Sequence, residues 1–172
     1  MKIILIALGL LAVFLGGVFI VGVLLPRQHK ASAVASYRTS AERLYSLIDG
    51  SQEWRPDIKH SESFTDDSGR QWMRESNRDG STIAYEVLER ISPTVLRRRI
   101  ATEGLPYGGS WTYSLQPVGD HTDVQIIEDG EIYNPVFRFV ARFILGYTKS
   151  VDDYLKALGS ATGQDVEIRH HS

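Results

Sequence analysis

Hydrophobic and polar positions divide the chain into three regimes. From Ile3 to Leu25 every residue is uncharged, and Leu, Ile, Val and Gly dominate. As a helix rising ~1.5 Å per residue, this run reaches roughly 35 Å, enough to cross a bilayer core of about 30 Å. From Ile58 to Tyr133 polar and apolar residues alternate in short stretches, the period of strands. From Asn134 to Gly159 apolar residues return at helical spacing: Val136, Val140, Phe143 or Ile144, Tyr147, Val151, Tyr154 or Leu155, and Leu158. Asn134 suits an N-cap, Pro135 the first turn and Gly159 the stop, so one long helix is expected there.

Smaller signals fill in the order. Ala31 to Arg38 alternates loosely and reads as a strand. Thr39-Ser40 then caps a short helix carrying Leu44, Leu47 and Ile48 on one face. Ser51 to Pro56 is a turn or a second short helix. The turns Asp66–Gly69, Arg78–Gly80, Ser92-Pro93, Gly104–Pro106 and Gly119-Asp120 separate the alternating stretches into an antiparallel meander. Alternation puts Ile83, Tyr85, Val87 and Ile91 on one face, as it does Leu96 with Arg98 and Ile100, Trp111 with Tyr113 and Leu115, and Val124 with Ile126 and Glu128. Trp72 and Met73 point opposite ways.

The N-terminal run has a second reading as a secretory signal. Signal peptides carry an apolar core of only ~7–15 residues with a small-residue cleavage site close behind. Here the run is longer, Arg27, His29 and Lys30 follow Pro26, and Ala31-Ser32-Ala33 lies beyond them. A retained anchor is therefore expected: residues 1–26 as a transmembrane helix, 27–30 as a linker, 31–160 as the folded domain and 161–172 as a flexible tail. Flanking charge leans slightly toward a cytoplasmic domain on a single-pass membrane protein.

With 42% hydrophobic and 23% charged residues in 172, a packed core is expected. A net charge of -2 gives no electrostatic case for nucleic acid. The absence of cysteine removes disulfides, thiolate metal sites and thiol nucleophiles. The histidines lack metal-ligand spacing, and no nucleophile elbow, phosphate loop or dinucleotide fingerprint occurs. No metal, cofactor or catalytic set is expected.

The order strand, two short helices, six antiparallel strands and long C-terminal helix resembles the α+β helix-grip fold of the START-like (SRPBCC) superfamily. That superfamily includes proteins described as polyketide cyclase/dehydrase and lipid-transport proteins. Local matches are Trp54-Arg55-Pro56, Trp72 and Glu75, Ser92-Pro93 before Leu96, Gly109-x-Trp111-x-Tyr113-x-Leu115, and Glu128-Asp129-Gly130 ahead of Asn134-Pro135. The resemblance covers about residues 31 to 160. It implies a curved sheet of about seven strands around the C-terminal helix, with a cavity between them for a lipid, a polyketide-like molecule or another hydrophobic ligand.

Trp72, Tyr85, Trp111 and Tyr113 are candidate sheet-side lining residues, and Phe137, Val140 and Ile144 are their helix-side counterparts. Arg98 and Glu128 share parity with apolar neighbours, so each needs a partner inside. Arg98 is expected to meet Glu128 or Glu75 and to orient a polar ligand head. Arg138, Arg142 and the surplus phenylalanines of the first half of the long helix border the cavity mouth, face the membrane or form a dimer contact. The leading expectation is non-catalytic binding of a hydrophobic ligand at a membrane. The alternatives are a cyclase- or dehydrase-like enzyme using acid/base residues in the cavity, and a membrane-tethered interaction module.

Overall fold

The structure is a computed structural model and describes residues 2–170. Helix α1 (Lys2–Leu24) leads through Leu25–Arg27 into strand β1 (Gln28–Tyr37), and α2 (Ala41–Asp49) follows. Strands β2 (Ile58–Thr65), β3 (Gln71–Asn77), β4 (Thr82–Ile91), β5 (Val95–Ile100), β6 (Tyr107–Val118) and β7 (His121–Ile132) form the meander. The chain ends with α3 (Pro135–Val140), a π-helical turn (Ala141–Leu145), α4 (Lys149–Ala161) and β8 (Ile168–His170). All strands lie in one eight-stranded antiparallel sheet of order β2-β3-β4-β5-β6-β7-β1-β8.

The sheet wraps around α4. On β1 the inward positions are Ala31, Ala33, Ala35 and Tyr37, all buried. Their small size lets α4 approach, and the Tyr37 hydroxyl donates to the Leu155 carbonyl at 2.8 Å. Val151, Tyr154, Leu155 and Leu158 of α4 complete the core with Val124 and Ile126 of β7, Tyr113 and Leu115 of β6, and Leu44 and Ile48 of α2. Burying a large aliphatic or aromatic side chain contributes about 1.5–3 kcal/mol, so this stripe dominates the stability of the domain. At the bend of the sheet Gly109 pairs with Gly130. Gly109 has φ 124°, and a Cβ there would lie 2.2 Å from the Asp129 carbonyl oxygen.

Several elements differ from the sequence expectation. The single helix from Asn134 to Gly159 is broken. Asn134 Oδ1 does cap it, accepting from Phe137 N–H at 3.0 Å. Gly146 then donates to Ala141 O at 3.0 Å, which closes a π-turn, and adopts φ 80°. Only a glycine takes that conformation without strain, so the chain turns before α4 begins. Gly159 is not the stop but lies inside α4, close to the Gln164 carbonyl. Residues 51–56 form turns rather than a second helix. A register shift between Val87 and Glu89 leaves Ile91 51% exposed instead of facing inward.

The linker expected at 27–30 is largely strand: Gln28, His29 and Lys30 pair with Glu131, Gly130 and Asp129. The tail expected to be flexible supplies β8, where Ile168, Arg169 and His170 pair with Ala35, Val34 and Ala33. Its last two residues lie outside the described residues. The isoleucine and the β1 edge left open by the meander explain why this segment pairs.

Helix α1 meets the domain only at its C-terminal end. Gly22 packs so tightly on Pro135 that a Cβ there would lie 2.0 Å from the Pro135 carbonyl oxygen. Pro26 has no N–H for the carbonyl four residues earlier, and Arg138 serves neighbouring carbonyls instead. Its guanidinium, 5% exposed, donates to Leu25 O at 2.6 Å and approaches Val23 O at 3.4 Å. Gly109→Ala is expected to destabilise the domain by roughly 1–3 kcal/mol through backbone strain, read as a lower urea midpoint at unchanged slope.

Candidate functional site

A cavity of about 830 Å³ lies between the concave sheet face and the α3–α4 segment. Ile83, Tyr85, Trp111 and Tyr113 line it from the sheet; Phe137, Ala141, Leu145 and Tyr154 line it from the helices. Lys149, Asp153 and Lys156 stand exposed at the rim. The wall is mainly apolar, with polar groups gathered at two places.

The first is the floor. Alternation along β5 sends Arg98 inward, where it is 3% exposed. Its guanidinium donates to the Ile48 carbonyl at 2.7 Å, at the C-terminus of α2, where positive charge is favourable. It lies over the Tyr113 ring and 3.8 Å from Glu75, which is equally buried. Glu75 is held more closely by Arg55 at 3.1 Å, and Arg55 also bonds Asp57 at 2.6 Å. Gln52, fully buried, donates to the Leu47, Ile48 and Gly50 carbonyls and accepts from the Tyr154 hydroxyl at 3.0 Å. Burial pushes the Tyr85 and Tyr154 hydroxyls well above their ordinary pKa, so both stay neutral donors at physiological pH. The network is connected from β3 to α4, the condition under which buried polar groups rigidify a site.

The second place is the wall near α1. Glu128 on β7 accepts from Ser150 Oγ at 2.7 Å, in the first turn of α4 where a carboxylate is favoured. His29 Nε2 lies 3.5 Å from the other Glu128 oxygen, and the His29 ring stacks on Tyr147 at 4.4 Å. His29 Nδ1 is buried without a partner. The ring is thus held by stacking, by Glu128 and by the close passage of Gly130. Among the described residues no group of three or more His, Cys, Asp or Glu is placed to hold a metal ion.

No protein-family model matches the chain, and no curated protein does. Solved structures do. A START superfamily protein from Mycobacterium smegmatis superposes with a TM-score of 0.61 at 19% identity, over 78% of this chain and 97% of that one. A conserved protein from Geobacillus kaustophilus superposes with a TM-score of 0.64 at 16% identity, over 83% of this chain and all (100%) of that one. The chain has the START-like helix-grip fold.

Of the residues singled out in the sequence, Tyr85, Arg98, Trp111, Tyr113, Glu128 and Phe137 line the cavity of this helix-grip domain. Arg98 meets Glu75, not Glu128, because Glu128 lies at the α4 end of the wall and is engaged by Ser150 and His29. Trp72 is not in the cavity. It points outward, donating to Asp66 Oδ2 at 2.9 Å and stacking on Phe64, while its neighbour Met73 takes the inward position. Val140 and Ile144 also lie outside the lining, and Ile144 is 68% exposed. The expected stripe was phased through an unbroken helix. The break at Gly146 rephases the first half, so Ala141 and Leu145 line the cavity beside Phe137.

Gln52 and His29 escaped sequence reasoning altogether. Gln52 sits in a turn, and His29 sits where a linker was expected. Tyr154 stood out only as a stripe residue.

Glu75→Gln leaves Arg55 and Arg98 without their shared buried counter-charge. It is expected to destabilise the domain by about 3–5 kcal/mol, whereas Glu75→Gln combined with Arg98→Met loses less than the sum of the single changes. Denaturant unfolding of the four proteins of this cycle measures the difference.

Proposed function

We propose that the protein is a single-pass membrane protein whose START-like domain binds a hydrophobic ligand, lipid or polyketide-like, in the cavity. The observation that carries this reading is the cavity itself: about 830 Å³, walled by aromatic and aliphatic side chains. Such a volume suits a drug- or lipid-sized molecule. Its polar floor is already satisfied by internal bonds, which favours holding a ligand over transforming one. The Tyr85 hydroxyl, beside that floor on the cavity wall, then meets the end of the ligand that carries hydrogen-bonding atoms.

Retention of α1 is supported by the path of β1. Cleavage after Ala33 would remove Gln28 to Ala33, which form six of the ten β1–β7 pairs. It would also strip the carbonyls that engage the buried Arg138. The helix is long and apolar enough to cross a membrane. Flanking charge favours a cytoplasmic domain.

A second reading, acid/base chemistry of the cyclase or dehydrase kind, rests on one observation, the His29–Glu128 pair at the wall. Turnover that disappears in Glu128→Gln while ligand retention persists would favour it.

Native mass spectrometry of the full chain, extracted in mild detergent and then delipidated, tests the leading proposal. A copurifying apolar ligand, or uptake of added lipid, is expected. Ala157→Phe, which projects from α4 into the cavity, should reduce uptake at least about tenfold, the equivalent of 1.4 kcal/mol. A folded chain that neither retains nor takes up lipid would leave the interaction-module reading.

A further inference from the structure

We propose that α3 and the π-turn form an interfacial element that rests in the headgroup and acyl boundary of the same bilayer that α1 crosses. The proposal rests on the anchor reading of α1 and is independent of what the cavity holds.

The argument begins with an apolar face that the domain does not use. Val136 is 45% exposed, Phe143 59% and Ile144 68%, and the Phe139 and Phe143 rings pack on each other at 4.9 Å. Three large apolar side chains so exposed on one short segment form a patch rather than scattered surface residues. From Asn134 to Gly146 there is no acidic residue; the charges are Arg138 and Arg142. Arg138 is buried against α1, which leaves Arg142, set over the Tyr147 ring, as the basic group of the segment. An apolar face edged with arginine and free of carboxylates is the composition of an interfacial helix.

What covers this face follows from its attachment. The apolar run of α1 begins at Ile3, and a core of about 30 Å consumes roughly 20 residues of helix, which places the far boundary close to Gly22. Gly22 is the α1 residue that packs on Pro135. Val23 O and Leu25 O, the carbonyls engaged by Arg138, lie within one further turn. The docking of α1 on α3 therefore sits at the membrane boundary, and α3 is held at that depth by a contact too close for any side chain at position 22. Val136, Phe143 and Ile144 are exposed on this segment as Phe19, Ile20 and Val23 are exposed on the last turns of α1. The same segment supplies a cavity wall through Phe137, Ala141 and Leu145. Cavity and leaflet are then separated by the thickness of one short helix.

The chain has no cysteine, so single labels can be introduced into the full-length protein. Nitroxides at Val13→Cys, Phe143→Cys and Val118→Cys, in nanodiscs of phosphatidylcholine and phosphatidylglycerol, report accessibility to oxygen and to a water-soluble nickel chelate. Val118 closes the β6–β7 hairpin at the end opposite Ile132 and the α1 junction. The ratio of oxygen to nickel accessibility is expected to be highest at 13, several-fold higher at 143 than at 118, and lowest at 118. A ratio at 143 equal to that at 118, with 13 reading bilayer, overturns the inference and leaves the anchor standing. A water-exposed label at 13 overturns both. Exclusion of both reagents at 143, with dipolar broadening that vanishes on dilution with unlabelled protein, overturns it in favour of a second copy covering the face.

Discussion

A charge inside a hydrophobic domain has to be solved locally, and the solution found for Arg98 ties the fold together. Its strand would carry it into the concave face whatever the rest of the chain did. The guanidinium is neutralised by Glu75 from β3, caps the carbonyl end of α2 and lies on Tyr113. Each of these contacts requires a separate element to arrive at one point. The C-terminus of α2 is held there by Gln52, and Gln52 by Tyr154 of α4. Uncompensated burial of a charge costs several kcal/mol, comparable with the whole stability of a small domain, so these pieces are coupled rather than merely adjacent.

The cavity follows from that coupling. The polar floor occupies the space between β3, β5 and the end of α2, so the core proper closes on the opposite side, where the alanines of β1 admit α4. Between floor and core the side chains are aromatic: Tyr85, Trp111 and Tyr113. Trp111 and Tyr113 pack against each other and against Tyr154, which fixes their rings as part of the cavity wall. A ligand entering here meets a preorganised surface in which Arg98, Glu75, Gln52 and Tyr154 are already engaged by the protein.

Strand alternation made most of this legible in the sequence. Ile83, Tyr85, Leu96, Arg98, Trp111, Tyr113 and Glu128 all face inward because parity is a local property that tertiary structure rarely overrides. The bulge at Val87–Glu89 is where parity failed, and it moved Ile91 to the surface. Helical phase was less secure. Gly146 lies within an apolar pattern that reads equally well through it, and only its left-handed backbone reveals the break. Long-range choices were not legible at all: which carboxylate meets Arg98, or that residues 168–170 would pair with β1. Those depend on the register of strands remote in sequence.

The break at Gly146 also divides the labour of the C-terminal segment. An unbroken helix could not place Leu155 and Leu158 against β1 while directing Arg138 at the end of α1. Separating the two lets α4 belong to the sheet and α3 belong to the anchor. The two buried arginines then have parallel tasks: Arg98 satisfies the carbonyl end of α2, and Arg138 satisfies that of α1. At α2 the helix ends inside packed structure, where its last carbonyls need a protein donor; at α1 the arginine joins the helix end to α3. The first arginine builds the floor of the cavity. The second joins the domain to the anchor helix, and the wall between them is the short segment that the glycine sets free to turn.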